Sequence, residues 1–256
     1  MMRECQIRSD QFAALWSETG LDESPYPLHL GVSAPTLDEH ERLQQQIRAH
    51  FAGEAGDGVR DVIRVLATPE VFVEVSGIDA SGSRIRVLGA RNQQFGAVAV
   101  QFPGARDDLG GEIRLRLIPG SAMGTAIAAL LPPNAPGTRV FARNDEPEPD
   151  YFSGRILQDV AAPARASRFE AAVRAGYAGA GTIRVATGPR YADSEVAWLR
   201  WFDIAGDGRY VITSRDENAA KSARGEQVGK WCDRMMTQGI ETFREARVES
   251  VRGGWA

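Results

Sequence analysis

A chain of 256 residues suffices for one large domain or two small ones, and a hydrophobic fraction of 43% is enough to build a real core. Its 30 basic and 34 acidic residues give a formal charge of -4, with no basic tract and no arginine–aromatic ladder, so nucleic acid is not an expected partner. No run of about 18 apolar residues occurs and the start lacks the apolar run of a signal peptide, so membrane insertion is not expected and cytoplasmic residence is the default.

The first predicted element is a short helix in SDQFAALWSETG, where Phe12, Leu15, Trp16 and Thr19 recur at three- and four-residue steps and Gly20 supplies the stop. LDESPYPLHLG follows as an extended linker, because Pro25 and Pro27 exclude a regular helix. Thr36 then opens the clearest helix of the chain. It caps the amide of Glu39, Glu39 returns the bond, and Leu43, Ile47 and Phe51 fall on one side. Acidic residues crowd the first turn, where the helix dipole favours them.

From Val59 to Phe102 the pattern reads as strands. Val71, Val73 and Val75 alternate with Phe72 and Glu74, and Ile85 and Val87 alternate with Arg84, Arg86 and Leu88. IDASGS is a hairpin turn by composition, and PGARDDLGG a longer, polar, glycine-rich connection. Ile113, Leu115 and Leu117 then alternate with Arg114 and Arg116 as a half-buried antiparallel strand. Strands in tandem, without a helix between each, argue against a βαβ fold. SAMGTAIAALL is a short apolar helix ended by Pro132 and Pro133.

Residues 134–163 form an irregular join, with four carboxylates and two prolines in ARNDEPEPDYFSG. Past it, Ser167 and Glu170 make a second capping box, and Phe169, Val173 and Tyr177 line one side of a helix. Three strands follow in GTIRVATGPR, SEVAWLRWFD and GRYVITSRD. Trp198 aligns with Arg200 and Phe202, which makes both faces apolar or amphipathic and predicts a strand covered on both faces. DIAGDG is a tight turn, and Asp216 to Glu226 a loop or frayed helix start. Val228, Trp231, Cys232, Met235 and Met236 lie on one helical stripe. Beyond it the tail from Glu241 is ambiguous: Ile240, Phe243 and Ala246 suggest helix, ended by Gly253 and Gly254.

One pattern therefore occurs twice, as three strands and a helix. IRV begins at Ile85 in one copy and at Ile183 in the other, a period of roughly a hundred residues, too long for a solenoid unit. Two related halves sharing one core are expected within a single domain, spanning about 60–131 and 166–238, with mainly antiparallel strands.

Motifs for catalysis are conspicuously missing. His40 and His50 share a helix but stand more than roughly a dozen ångströms apart, and His29 lies elsewhere, so no metal site is expected. Cys5 and Cys232 have no Cys or His at ligand spacing; Cys232 reads as a small core residue. No GxSxG elbow, phosphate loop or dinucleotide fingerprint occurs, and no cofactor is expected. Asp203 and Asp207 in DIAGDGR lack the alternating ligands of a calcium loop, since position 205 is Ala and the twelfth position is Ser214. The adjacent Asp107 and Asp108 read as a solvated loop tip rather than an acid/base pair.

The layout resembles the EspG family, the secretion-associated proteins of type VII (ESX) systems. An early FAALWSETGLDESPYPL is similar to that family's N-terminal pattern, and GTIRVATGPRYADSEVAWLRWFDIAGDGRYVI resembles its late strands, one ending at Asp203 before Gly208–Tyr210. The resemblance implies a quasi-twofold α/β fold of the α+β type, with a central, largely antiparallel sheet flanked by helical bundles. It also implies a non-enzymatic cytosolic chaperone that binds PE–PPE heterodimers and helps deliver them to the secretion machinery. The surface it implies is the loop after Phe102, carrying Arg106, Asp107 and Asp108, and the helical element QVGKWCDRMM with Met235 and Met236. From the residues alone the methionine stripe is either core or an adaptable interface. Two other readings stand beside this one. One is an enzyme with a cleft between lobes, using Asp203, Asp207, Arg209 and Tyr210. The other is a homo-oligomeric structural or regulatory module using an exposed sheet face.

Overall fold

The computed structural model describes residues 4–31, 34–106, 109–141, 169, 172–192 and 194–253. Its strands are β1 (Cys5–Ile7), β2 (Val71–Ile78), β3 (Arg84–Asn92), β4 (Phe95–Arg106), β5 (Leu109–Pro119), β6 (Tyr177–Thr187), β7 (Ser194–Ile204), β8 (Gly208–Thr213) and β9 (Asp216–Ser222). They form one sheet in the order β1-β5-β4-β3-β2-β6-β7-β8-β9, with every neighbouring pair antiparallel. Its helices are α1 (Ser9–Ser17), α2 (Leu37–His50), α3 (Glu54–Ala67), α4 (Met123–Leu130) and α5 (Gly225–Gly253), of which α2 packs on α1.

The strand order makes the duplication visible. β2 and β6 meet at the centre, in register from Val71 opposite Thr187 to Ile78 opposite Ala180. β3, β4 and β5 run outward from one, and β7, β8 and β9 from the other. Each half ends in a helix, α4 or α5, and these two pack on each other. The quasi-twofold relation therefore matches β2 with β6, so the IRV of β3 is not the counterpart of the IRV of β6. Each half has four strands, not three. The added strand in the second half is β9, whose polar DENAAKS has no apolar alternation to reveal it.

Two apolar layers hold the sheet. On one face α1–α3 bury Phe12, Leu15, Ile47, Val62 and Leu66 against Phe72, Leu88 and Ile113. On the other, α4 and α5 bury Ile127, Val228 and Cys232 against Val73, Ile183 and Trp201. Alternation along β2 thus feeds both layers, as expected for a central strand covered twice. Trp201 is fully buried because Gly77 and Gly181, opposite each other on β2 and β6, leave its ring the room. A Cβ on Gly181 would collide with that ring.

Several local expectations hold. Thr36 accepts the Glu39 amide at 3.3 Å, although the Glu39 carboxylate returns to the Thr36 hydroxyl at 3.0 Å rather than to its backbone. Gly20 ends α1 with φ +78°, and the hairpins of IDASGS and DIAGDG close through Gly82 and Gly206, also at positive φ. Others are corrected. Val59 to Ala67 is helix: Val59, Val62, Ile63 and Leu66 fall at helical spacing and are buried, a period masked by their β-branched neighbours. Tyr177 begins β6 and is half exposed. β7 buries one face only, through Ala197, Leu199, Trp201 and Asp203, while Trp198 and Phe202 are partly exposed and Arg200 is exposed. The ambiguous tail is helix to Gly253. The Ser167–Glu170 capping box and most of the irregular join lie outside the described residues.

Candidate partner-binding surface

PGARDDLGG is less a loop than the end of a long hairpin. β3 accompanies β4 only as far as Gln101, and β1 accompanies β5 only from Ile113 onward. Beyond those points β4 and β5 pair with each other alone, Pro103 opposite Gly110 and Arg106 opposite Leu109. The register shifts twice on the way, between Gln101 and Pro103 and between Pro103 and Arg106, as at β-bulges, which raise local twist. The backbone of Arg106 thus sits at the arm's last pair; Asp107 and Asp108 lie outside the described residues.

The base of the arm is fixed by one amide. Gln101, 3% exposed, accepts the His29 N–H at 2.7 Å and donates to the His29 carbonyl at 2.8 Å. It thereby mimics a strand neighbour for the linker, and Gly110 supplies the space, since a Cβ there would strike both Gln101 and His29. Phe102 is partly exposed, with the Arg114 guanidinium 4.7 Å from its ring centroid.

The C-terminal helix divides in two. Met235 and Met236 are each 1% exposed and pack with Cys232 and Ile240 in the α4–α5 layer. They are core, and in this structure they offer no surface to a partner. Burial also pushes the Cys232 thiol up to about 12, with Asp233 adding to the shift, which leaves it unreactive. From Glu241 to Val248 the helix is exposed apart from a partly exposed Phe243, with Val248 at 50%. Arg244 pins it to Glu70 with bonds of 3.0 and 3.1 Å. The polar run ETFREARV left this half ambiguous in the sequence, because Phe243 and Ala246 are its main apolar marks among strong helix formers.

Asp203, Asp207, Arg209 and Tyr210 do come together, but as a fastening. Arg209 forms a two-pronged bond to Asp203, both at 2.7 Å, and donates to the Pro132 carbonyl at 2.6 Å. Asp207 accepts from Tyr210 at 2.6 Å and from the Thr138 amide and hydroxyl at 2.8 Å. Arg139 donates its amide to the Tyr210 oxygen at 2.7 Å. The Tyr210 hydroxyl, then the Thr138 amide, hold the Asp207 carboxyl below the usual range. Residues 132–139 are thus strapped to β8. None of the four lines the clefts of 660 and 860 Å³ that flank α1. Among the described residues no group of three or more His, Cys, Asp or Glu is placed to hold a metal, and no helix is long and apolar enough to cross a membrane.

A single antiparallel sheet of nine strands, layered by helices on both faces, defines a mixed α/β protein of the α+β type. The chain matches the EspG family over residues 8–223 and belongs to it. Its fold is similar to that of the Mycobacterium tuberculosis type VII secretion system chaperone EspG5, whose structure was solved in complex with a PE25-PPE41 dimer. The two share 16% identity at a TM-score of 0.58, over 94% of this chain and 96% of that one. No curated protein matches the chain.

Proposed function

We propose that this protein is a non-catalytic cytosolic chaperone that binds a PE–PPE heterodimer and helps deliver it to a type VII secretion system. The β4–β5 arm, with Phe102 and Arg106–Asp108, is the main contact, and the exposed second half of α5 is the other. The observation that carries this reading is the arm itself. In an EspG-family chain, a hairpin that leaves the sheet beyond Gln101 and is anchored by that residue presents backbone and side chains to a partner without costing the core. The bound PE25-PPE41 dimer of the similarly folded EspG5 supports the partner class. The mutual pairing of Asp203 with Arg209 and of Asp207 with Tyr210 supports a structural role for the residues an enzyme would have used.

The test is calorimetric titration of a PE–PPE pair from the same genome with the wild-type chain and with Arg106, Asp107 and Asp108 all replaced by Ala. Affinity is expected to fall by about 2–5 kcal/mol where a charged contact is desolvated. Thermal stability is expected to move little, within about 0.5 kcal/mol per site. Unchanged affinity removes the arm from the interface. Lack of affinity for any such pair overturns the chaperone reading.

A further inference from the structure

α2 buries two of its 14 residues, and one of the two is polar: Ile47 and Gln44. Ile47 joins the apolar layer of α1–α3, whereas Gln44 lines the 660 Å³ cleft between α1, α2 and the linker of residues 21–31. The Gln44 side chain is 8% exposed and, among the described residues, makes no hydrogen bond. One turn earlier, on the same side of the helix, His40 lines the cleft as well, and its Nδ1 is buried without a partner. An unpaired buried polar group destabilises the fold, so a native protein leaves few of them without a reason. Arg48, one turn past Gln44, is by contrast engaged by the Ser17 hydroxyl at 2.8 Å and the Ala14 carbonyl at 3.5 Å. The unpaired groups are thus the amide and the imidazole in the middle of the cleft.

We propose that this cleft holds a short extended segment of a protein partner, bound through its backbone by Gln44 and His40 and carrying a basic side chain, separately from the hairpin arm. A carboxamide accepts from an N–H and donates to a carbonyl, the pair that alternate residues of an extended chain offer along one edge. Gln101 holds the His29 backbone in this way elsewhere in the molecule. From His40 to Gln44 the helix rises about 6 Å, and an extended chain repeats the same edge every two residues, after about 6.6 Å. One residue of the segment therefore pairs with the Gln44 amide, and the residue two along meets the His40 ring. Trp16, Leu21 and Leu30 give its side chains an apolar wall, and the exposed Leu37 lines the same cleft. Asp22 and Glu41, also on the walls, favour a lysine or arginine in the segment. They oppose a nucleotide, whose base edge pairs with such an amide but whose phosphate would meet those carboxylates.

The probe is a labelled Val-Lys-Val-Lys-Val peptide, blocked at both ends and titrated into the full chain by fluorescence anisotropy. A second peptide, N-methylated at its valines, keeps the charge and loses the backbone donors of one edge. Saturable binding of the first peptide is expected, with about tenfold loss for the N-methylated peptide and for Gln44→Leu, and about fivefold loss for His40→Phe. Without peptide, Gln44→Leu is expected to melt higher than the wild type, because it replaces an unpaired buried amide by an apolar group of similar shape. That melt also separates a lost site from a lost fold. Phe102→Ala is expected to bind the peptide as the wild type does, which keeps this inference apart from the fate of the chaperone reading. Each of the following overturns it: no binding to the wild type, equal binding of the N-methylated peptide, equal binding by either cleft variant, a lower melting temperature in Gln44→Leu, an equal loss in Phe102→Ala, or tighter binding of adenosine monophosphate than of the peptide.

Discussion

Arg209 is 2% exposed, and its charge is tolerated in the interior because Asp203 meets it with two short bonds and the Pro132 carbonyl with a third. Removing one partner of such a pair leaves a buried charge uncompensated. Asp203→Ala is expected to cost about 3–5 kcal/mol, read from the urea midpoint. Asp207 gives stability a pH dependence. Its folded value is depressed by Tyr210 and Thr138, so its contribution is present above the unfolded carboxylate value of about 3.9 and is lost as pH falls through the lower folded one. Glu70 acts in the same sense: burial opposes it, but bonds from Arg244 and the Gln93 amide hold it low. Urea titrations on either side of that window are expected to show a drop in stability toward acid that is smaller in Asp207→Asn.

At the scale of elements, the hairpin arm depends on a contact from another part of the chain. Without the Gln101 amide, the His29 N–H loses its partner and the His29 carbonyl keeps the Ser9 hydroxyl at 3.4 Å, a cost of about 1–3 kcal/mol if the freed N–H stays out of water. Gln101→Ala is therefore expected to speed hydrogen exchange at the His29 amide and to weaken PE–PPE binding, with less effect on the melting temperature than Asp203→Ala. The exposed half of α5 depends likewise on the Arg244–Glu70 bond, a surface pair of modest worth. Its length, about 44 Å for 29 residues, carries its end well beyond the turns that bury Met235 and Met236.

For the whole molecule, the continuity of β2 with β6 makes the halves interdependent. Eight opposed residue pairs join them, and Trp201 of the second half is seated over Gly77 of the first. A fragment of residues 60–131 would expose the β2 edge and lose that ring, so it is expected not to fold alone, as circular dichroism and size-exclusion chromatography would register. A stable, monomeric fragment would mean that each half holds its own core. The chemistry readable in the sequence alone was local. Gly82 and Gly206 close turns because only they accept the required φ, and Thr36 caps because its hydroxyl reaches three residues on. The antiparallel class was also legible, since strand alternation and turn residues need no distant partner, whereas the IRV match pointed to the wrong pair of strands. Tertiary structure decided the rest. Val59–Ala67 became helix because its apolar side chains meet the sheet at helical spacing, and DENAAKS became β9 because β8 offered an edge. Met235 and Met236 faced inward because α4 and the sheet were there to receive them, and Gln101 found His29, 72 residues away in the chain, only when the linker was laid beside β4.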